Sequence, residues 1–264
     1  MHEEVFGRSG ARRIVPGQYL AADPKGRAVL IGAVEKQKFV YTLNRDSNAK
    51  LTISSPLEAH KSHTILFDVV GLDVEFNSPL FACIEVSYDE MDRDPTGEAI
   101  ANAQKVLTFY ELDLGLNHVV RKNSFPIDRS AHKLIAVPGG AEGPGGVLIC
   151  AQDTLYYKSL DLTNKHIDIL AKLPRRKDTS FTGVKGEQDA GTMIVAAASH
   201  KLKGKPFFFL VQTESGDIFK IELPSTDNKV DSIKVAYFDT TPPATSLCLL
   251  KTGFLFVASE CSDQ

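Results

Sequence analysis

The chain has 264 residues, 43% of them hydrophobic and 24% charged, which supplies a sizeable core and excludes wholesale disorder. No run of about 18 apolar residues occurs, which excludes a transmembrane helix read from hydropathy. Lys+Arg is 30 against Asp+Glu 33, a formal net charge of −3, so the general basic footprint of a nucleic-acid binder is missing.

In chain order, Met1–Val5 has neither a basic nor an apolar stretch and reads as no secretory signal. Asp23-Pro24-Lys25-Gly26 carries the favoured residues of a type I turn and leads into the apolar run Arg27–Val34. Lys38–Leu43 follows, with Phe39, Tyr41 and Leu43 alternating against Lys38, Val40 and Thr42, the period of a strand. Further strand-like runs are Thr64–Val74, Leu80–Tyr88, Lys105–Leu112, His118–Ser124, Leu134–Val137, Gly146–Ala151, Leu155–Leu160 and Ile167–Leu173. Met193–Ser199, Pro206–Thr213, Asp217–Leu223, Ser232–Phe238, Thr245–Leu250 and Gly253–Ser259 complete the series. The plainest hairpin joins Phe207–Thr213 to Asp217–Leu223 through Glu214-Ser215-Gly216. Helix signals are thin: only Thr96–Lys105 has helix-forming residues, with Thr96 as the expected N-cap. Short runs joined to their sequence neighbours by short turns, without βαβ alternation, predict an all-β fold of up-and-down meanders, as in propeller blades. The chain contains no Trp, so the W-D signature of WD40 blades is absent and a non-WD40 propeller is expected. The β pattern crosses the polar loops Asn44–Thr64, Asp89–Gln104 and Pro174–Gly191, so residues 1–264 read as one domain without an internal boundary.

Residues able to carry chemistry are sparse. Pro138–Gly146 is glycine-rich but lacks the Gly-Lys-Ser/Thr of a phosphate loop and leads into a strand, so it reads as a wide inter-strand turn. The acidic loop Asp89–Glu98 fails the calcium spacing, because Thr96 stands where Asp or Asn is required and Ala103, where Glu is required, cannot ligate. His60 and His63 have an H-x-x-H spacing without the helix that zinc hydrolases need, and His2, His118, His132, His166 and His200 are isolated. Arg12-Arg13, Arg175-Arg176-Lys177 and Lys201/Lys203/Lys205 lack interleaved aromatics. Cys83, Cys150 and Cys248 lie in apolar runs and Cys261 stands apart, with no C-x-x-C pair and no N-glycosylation sequon, a pattern of reducing compartments. No catalytic, cofactor-binding or metal residue is assigned, no cofactor is expected, and the chain reads as no enzyme.

Several stretches carry a family resemblance: RIVPGQYL at Arg13–Leu20, ADPKGRAV at Ala22–Val29, VEKQK at Val34–Lys38, LNRD at Leu43–Asp46 and LTISSPLEAHK at Leu51–Lys61. DPTGE at Asp94–Glu98, LTFYELDLGLNHVVRK at Leu107–Lys122, VPGG at Val137–Gly140, GDIFKI at Gly216–Ile221 and LKTGFLFVASE at Leu250–Glu260 continue it. They closely resemble the Rse-type family, the large propeller subunits (subunit 3) of splicing factor 3b. That family shares its fold with the large subunit of the damaged-DNA-binding protein and the largest subunit of the cleavage and polyadenylation specificity factor. The resemblance weakens across Phe125–Lys133 and Ser159–Gly191. It implies a partial first propeller of a triple-propeller family, with about 3–4 blades here. It also implies a nuclear, non-catalytic interaction scaffold of the branch-site-recognising spliceosomal ribonucleoprotein. The implied partners are the helical-repeat subunit and small subunits of splicing factor 3b, with RNA met only indirectly and no membrane or small-molecule substrate. Direct nucleic-acid binding, as in the fold relatives, is the alternative.

Overall fold

The computed structural model describes residues 19–32, 38–59, 63–164, 166–174, 191–202, 204 and 206–259. Every paired strand is antiparallel to its partner, and the strands fall into successive sheets. Sheet 1 holds β1 (Leu20–Ala22), β2 (Ala28–Gly32), β3 (Lys38–Arg45), β4 (Leu51–Ile53) and β5 (Leu57–Glu58). β4 and β5 both pair with β3, Leu43 opposite Ile53 and Val40 opposite Leu57, so they are two halves of one outer strand broken at Ser54–Pro56. Proline cannot donate to a ladder, and the Ser54 hydroxyl accepts the Thr42 N–H (2.9 Å) beside the break.

Sheet 2 is the meander β6 (Thr64–Leu72), β7 (Leu80–Ser87), β8 (Lys105–Asp113) and β9 (His118–Pro126). Sheet 3 repeats it with β10 (Lys133–Ala136), β11 (Val147–Ala151), β12 (Thr154–Lys158) and β13 (Ile169–Lys172). Sheet 4 has β14 (Ile194–His200), β15 (Phe208–Thr213), β16 (Asp217–Glu222) and, after the small ribbon β17 (Ser225–Thr226) and β18 (Lys229–Val230), the outer strand β19 (Lys234–Thr240). β20 (Ala244–Leu249) and β21 (Leu255–Ser259) form a two-stranded fifth sheet.

The alternation within each strand makes the sheets stack. In β7, Phe81 and Cys83 pack with Leu30, Val40 and Tyr110 toward sheet 1, whereas Ala82 and Ile84 pack with Phe109 and Ile149 toward sheet 3. In β11, Val147 and Ile149 face sheet 2, whereas Leu148 and Cys150 join Val211, Phe219 and Ile221 toward sheet 4. Ala196, Leu247 and Val257 close the joint between sheets 4 and 5. A strand buried on both faces reads as a continuous apolar run, and each fully buried Leu, Ile, Val or Phe is worth about 1.5–3 kcal/mol. Sheets of four strands packed face to face with their neighbours are the blades of a β-propeller. Among the described residues there are four such blades, the first with a broken outer strand, and a two-stranded fifth sheet.

The turn chemistry follows the sequence with one correction. The Gly26 N–H donates to the Asp23 carbonyl (2.7 Å) and closes the turn before β2, and Gly216 takes the left-handed φ of 89° in the β15–β16 hairpin. Pro138–Gly146 links β10 to β11 as a wide turn with one 3-10 turn at Gly140–Glu142. The expected N-cap at Thr96 is displaced, because the short helix α1 (Glu98–Ala101) starts from Gly97. The Asp94 carboxylate, a stronger acceptor than a hydroxyl, takes the Ala99 N–H (2.7 Å), and Thr96 Oγ1 receives only Glu98 N–H at 3.3 Å. Among the described residues no helix is long and apolar enough to cross a membrane.

Candidate interaction surfaces

Several polar and ionisable side chains inside the stack act as ties between blades, while others, such as Lys158 with Asp168, pair within one blade. Lys38 Nζ, at the start of β3, lies 2.8 Å from Glu85 Oε1 of β7, with both side chains almost fully buried. Lys38 also donates to Thr64 Oγ1 (2.7 Å), and the Tyr110 hydroxyl donates to both Glu85 oxygens (3.2 Å). Burial and the Glu85 charge push the Tyr110 phenol well up. Between blades 2 and 3, Asp68 Oδ2 accepts the Leu134 N–H (2.6 Å) and Oδ1 accepts the Val69 N–H (2.9 Å). Burial raises the Asp68 carboxyl to about 7, against the opposing pull of these bonds and of Lys133. Between blades 3 and 4, the His132 ring bonds the Ile194 carbonyl (2.8 Å). Between blade 4 and sheet 5, Gln212 accepts the Ala244 N–H (2.8 Å) and donates to Thr241 Oγ1 (2.9 Å). Each of these groups is committed to a structural partner. The signal for them was a lone ionisable or amide residue inside an apolar run, such as Asp68 in Thr64–Val74 or Glu85 in Leu80–Tyr88.

The candidates singled out by sequence do not converge. The loop after β7 carries Asp89, Glu90, Asp92, Asp94 and Glu98 at one end of blade 2, and Asp94 is spent on its own loop, where the Ala99 and Thr96 bonds hold its carboxyl low. His63 Nδ1 lies 3.2 Å from Asp89 Oδ1 and its ring meets Tyr88 edge-on. His60, Arg12-Arg13, Arg175–Lys177, Lys203, Lys205, His2 and Cys261 lie outside the described residues. His118 and His166 are exposed, and His200 stacks near Phe208 with ring centroids 4.9 Å apart. Among the described residues no three His, Cys, Asp or Glu side chains gather to hold a metal.

Cysteine burial departs from expectation at one position. Cys83 and Cys150 are buried hydrophobes, with burial raising the Cys150 thiol to about 12. Cys248, expected in an apolar setting, is exposed, because the β20 face opposite Leu247 has no sheet against it among the described residues. Brief alkylation of the native chain followed by peptide mapping is therefore expected to label Cys248 and spare Cys83 and Cys150 until denaturant is added. Early labelling of Cys83 or Cys150 would contradict the packing between blades.

The two loop faces of the stack differ. On one face lie the loops after β1, β6, β10 and β14, stitched together by polar contacts. Arg27 pairs with Asp23 (2.8 Å) and donates to the Asn77 carbonyl (2.7 Å), and Lys201 bridges Asp73 and Glu142. The backbone of blade 3 comes so close to that of blade 2 that a Cβ at Gly139 would sit 2.1 Å from the Asp73 carbonyl oxygen. The same face bears exposed apolar tips at Phe76, Leu114, Leu116 and Phe254, whereas Ile100 is the exposed large aliphatic of the opposite loops. Scattered exposed apolar residues are ordinary, and these four tips share one loop face.

A family model described as the RSE1/DDB1/CPSF1 first beta-propeller matches residues 1–264. The chain is 57% identical over 264 residues to splicing factor 3B subunit 3 of Drosophila melanogaster, covering 100% of this chain and 21% of that protein. It is 57% identical over 264 residues to spliceosome-associated protein 130 A of Arabidopsis thaliana, again 100% of this chain and 21% of the relative. It is 53% identical over 271 residues to pre-mRNA-splicing factor RSE1 of Mycosarcoma maydis, 100% of this chain and 22% of that protein. The chain thus spans about a fifth of the length of the curated relatives it matches. Stacked four-stranded blades and a family match along the whole sequence agree: the chain belongs to the RSE1/DDB1/CPSF1 first β-propeller family.

Proposed function

We propose that this chain serves pre-mRNA splicing as a non-catalytic protein-interaction scaffold of the splicing factor 3b type. The observation that carries the reading is identity of 57% along all 264 residues to proteins named as splicing factors. The structure supports it in a second way. Its buried ionisable groups are consumed in pairs within and between blades, and Phe76, Leu114, Leu116 and Phe254 stand exposed on loops of one face, a distribution suited to recognition. In this reading the chain works in the nucleus, within the branch-site-recognising ribonucleoprotein. Its partners are the helical-repeat subunit and the small subunits of splicing factor 3b, and RNA is reached through them. Residues 1–264 act as one unit without an internal domain boundary, a reading supported by the family match over the same span.

The test is affinity capture with the tagged 264-residue chain in nuclear extract, washed at moderate salt and probed for splicing factor 3b subunits. Recovery of the helical-repeat subunit is the expected result. A chain that gives a β-sheet circular dichroism spectrum yet captures none of those subunits would overturn the proposal.

A further inference from the structure

One groove on the loop face described above combines charge and apolar surface in a way the blade ties do not. It has a volume of about 490 Å³ and runs between blades 2 and 3. Asp73, Glu75 and Glu111 contribute three carboxylates to its lining, Leu80, Leu160 and Leu162 contribute aliphatic surface, and no Lys or Arg lines it. Its walls are fixed. The Leu112 N–H donates to the Pro79 carbonyl (2.9 Å), Asn123 Nδ2 donates to the Leu162 carbonyl, and the Glu75 carboxylate lies against Gly140 of blade 3. Beside it Phe76 stands 88% exposed, and the β8–β9 hairpin of the same blade carries Leu116 at 78% exposed.

We infer that this groove takes a basic, aliphatic segment of a partner protein, with a Lys or Arg entering among Asp73, Glu75 and Glu111 while flanking aliphatic residues cover Phe76, Leu160 and Leu162. Charge complementarity selects the occupant: a lining that is acidic without a basic residue repels nucleic acid and acidic peptides and attracts a cation. The lysines that approach from outside are displaceable. Lys122 meets Glu111 at 2.9 Å and Lys201 meets Asp73 at 3.8 Å through lysine side chains 42% and 40% exposed, Lys25 Nζ lies 5.6 Å from the Phe76 ring centroid, and exposed lysines hold such partners weakly. Among the described residues no hydrogen bond or ion pair engages the Glu75 carboxylate. The inference is independent of the splicing assignment, because its test uses defined peptides.

The probe is a fluorescent peptide alternating lysine and leucine, titrated with the 264-residue chain and followed by anisotropy, beside a glutamate–leucine peptide and a lysine–serine peptide. The lysine–leucine peptide is expected to bind most tightly. Glu75→Lys and Phe76→Ser are each expected to weaken it about tenfold, the size typical of a central interface contact. Both residues are exposed, so the variants are expected to keep the parent's thermal melt. Lys122→Ala, which frees Glu111, is expected to tighten binding, a change that loss of structure would not produce. Equal binding of the glutamate–leucine peptide, binding unchanged in Glu75→Lys and Phe76→Ser, or a single-stranded RNA that binds in a Phe76-dependent manner would each overturn the proposal.

Discussion

Glu85→Leu is expected to cost about 3–5 kcal/mol of stability, because it strands the Lys38 ammonium in a dry interface. Lys38 and Glu85 lie 2.8 Å apart, with side chains 2% and 1% exposed, between blades 1 and 2. The change also removes the acceptor of the Tyr110 hydroxyl. The double variant Lys38→Met/Glu85→Leu removes both charges and leaves aliphatic side chains in an apolar cluster that includes Leu30, Val40 and Phe81. It is expected to recover most of the loss, because an intact buried pair is itself worth little against well-packed apolar groups. Urea titrations of the parent, the two single variants and the double variant measure the coupling. If Glu85→Leu is no less stable than the double variant, the pair is not the tie described here.

Asp68 gives the second large effect, and it runs opposite to the usual carboxylate. Its folded pKa is raised to about 7 from 3.8, so the native state holds the proton more tightly than the unfolded chain. The stability tied to this proton is fully present below about pH 4 and is lost as pH rises to about 7. Between about pH 5 and pH 7.5 the loss is about 2–3 kcal/mol for this group alone. The groups facing it are the Leu134 and Val69 N–H donors and the Lys133 charge, with the Cys150 thiol also within its field. Asp68→Asn does not titrate. The stability of the parent minus that of Asp68→Asn, from urea unfolding at both pH values, is therefore expected to fall by that amount as pH rises. A difference that stays constant with pH would show that the carboxyl is solvated rather than sealed between blades 2 and 3.

The longer strands were legible in the sequence, and each of the sixteen apolar runs overlaps one strand, with ends off by one or two residues in several. The five strands it missed, Leu20–Ala22, Leu51–Ile53, Leu57–Glu58, Ser225–Thr226 and Lys229–Val230, are two or three residues long, too short for alternation to register. Two of them, β4 and β5, are held by pairing to β3 rather than by their own composition. The Thr96 cap was misplaced because a helix signal cannot reveal that a carboxylate two residues upstream captures the loop amides. The blade ties were hidden for a different reason. Asp68 and Leu134, His132 and Ile194, and Gln212 and Ala244 are separated by 66, 62 and 32 residues, so no local pattern links them. The groove between blades 2 and 3 likewise gathers Glu75 from the loop after β6, Glu111 from β8 and Leu162 from the loop after β12, which only the stacked fold brings together.

The interrupted outer strand of blade 1 has a consequence for self-association. An outer strand displays a row of unsatisfied N–H and C=O groups that a neighbouring molecule can extend into an intermolecular sheet. In blade 1 that row is never longer than three residues, because Ser54–Pro56 separates β4 from β5 and Pro56 has no N–H to offer. The Ser54 hydroxyl meanwhile satisfies Thr42 from within, so the gap leaves the inner ladder intact. Blade 1 thus carries a built-in guard against aberrant strand addition along its rim, and Pro56→Val is the change that would remove it.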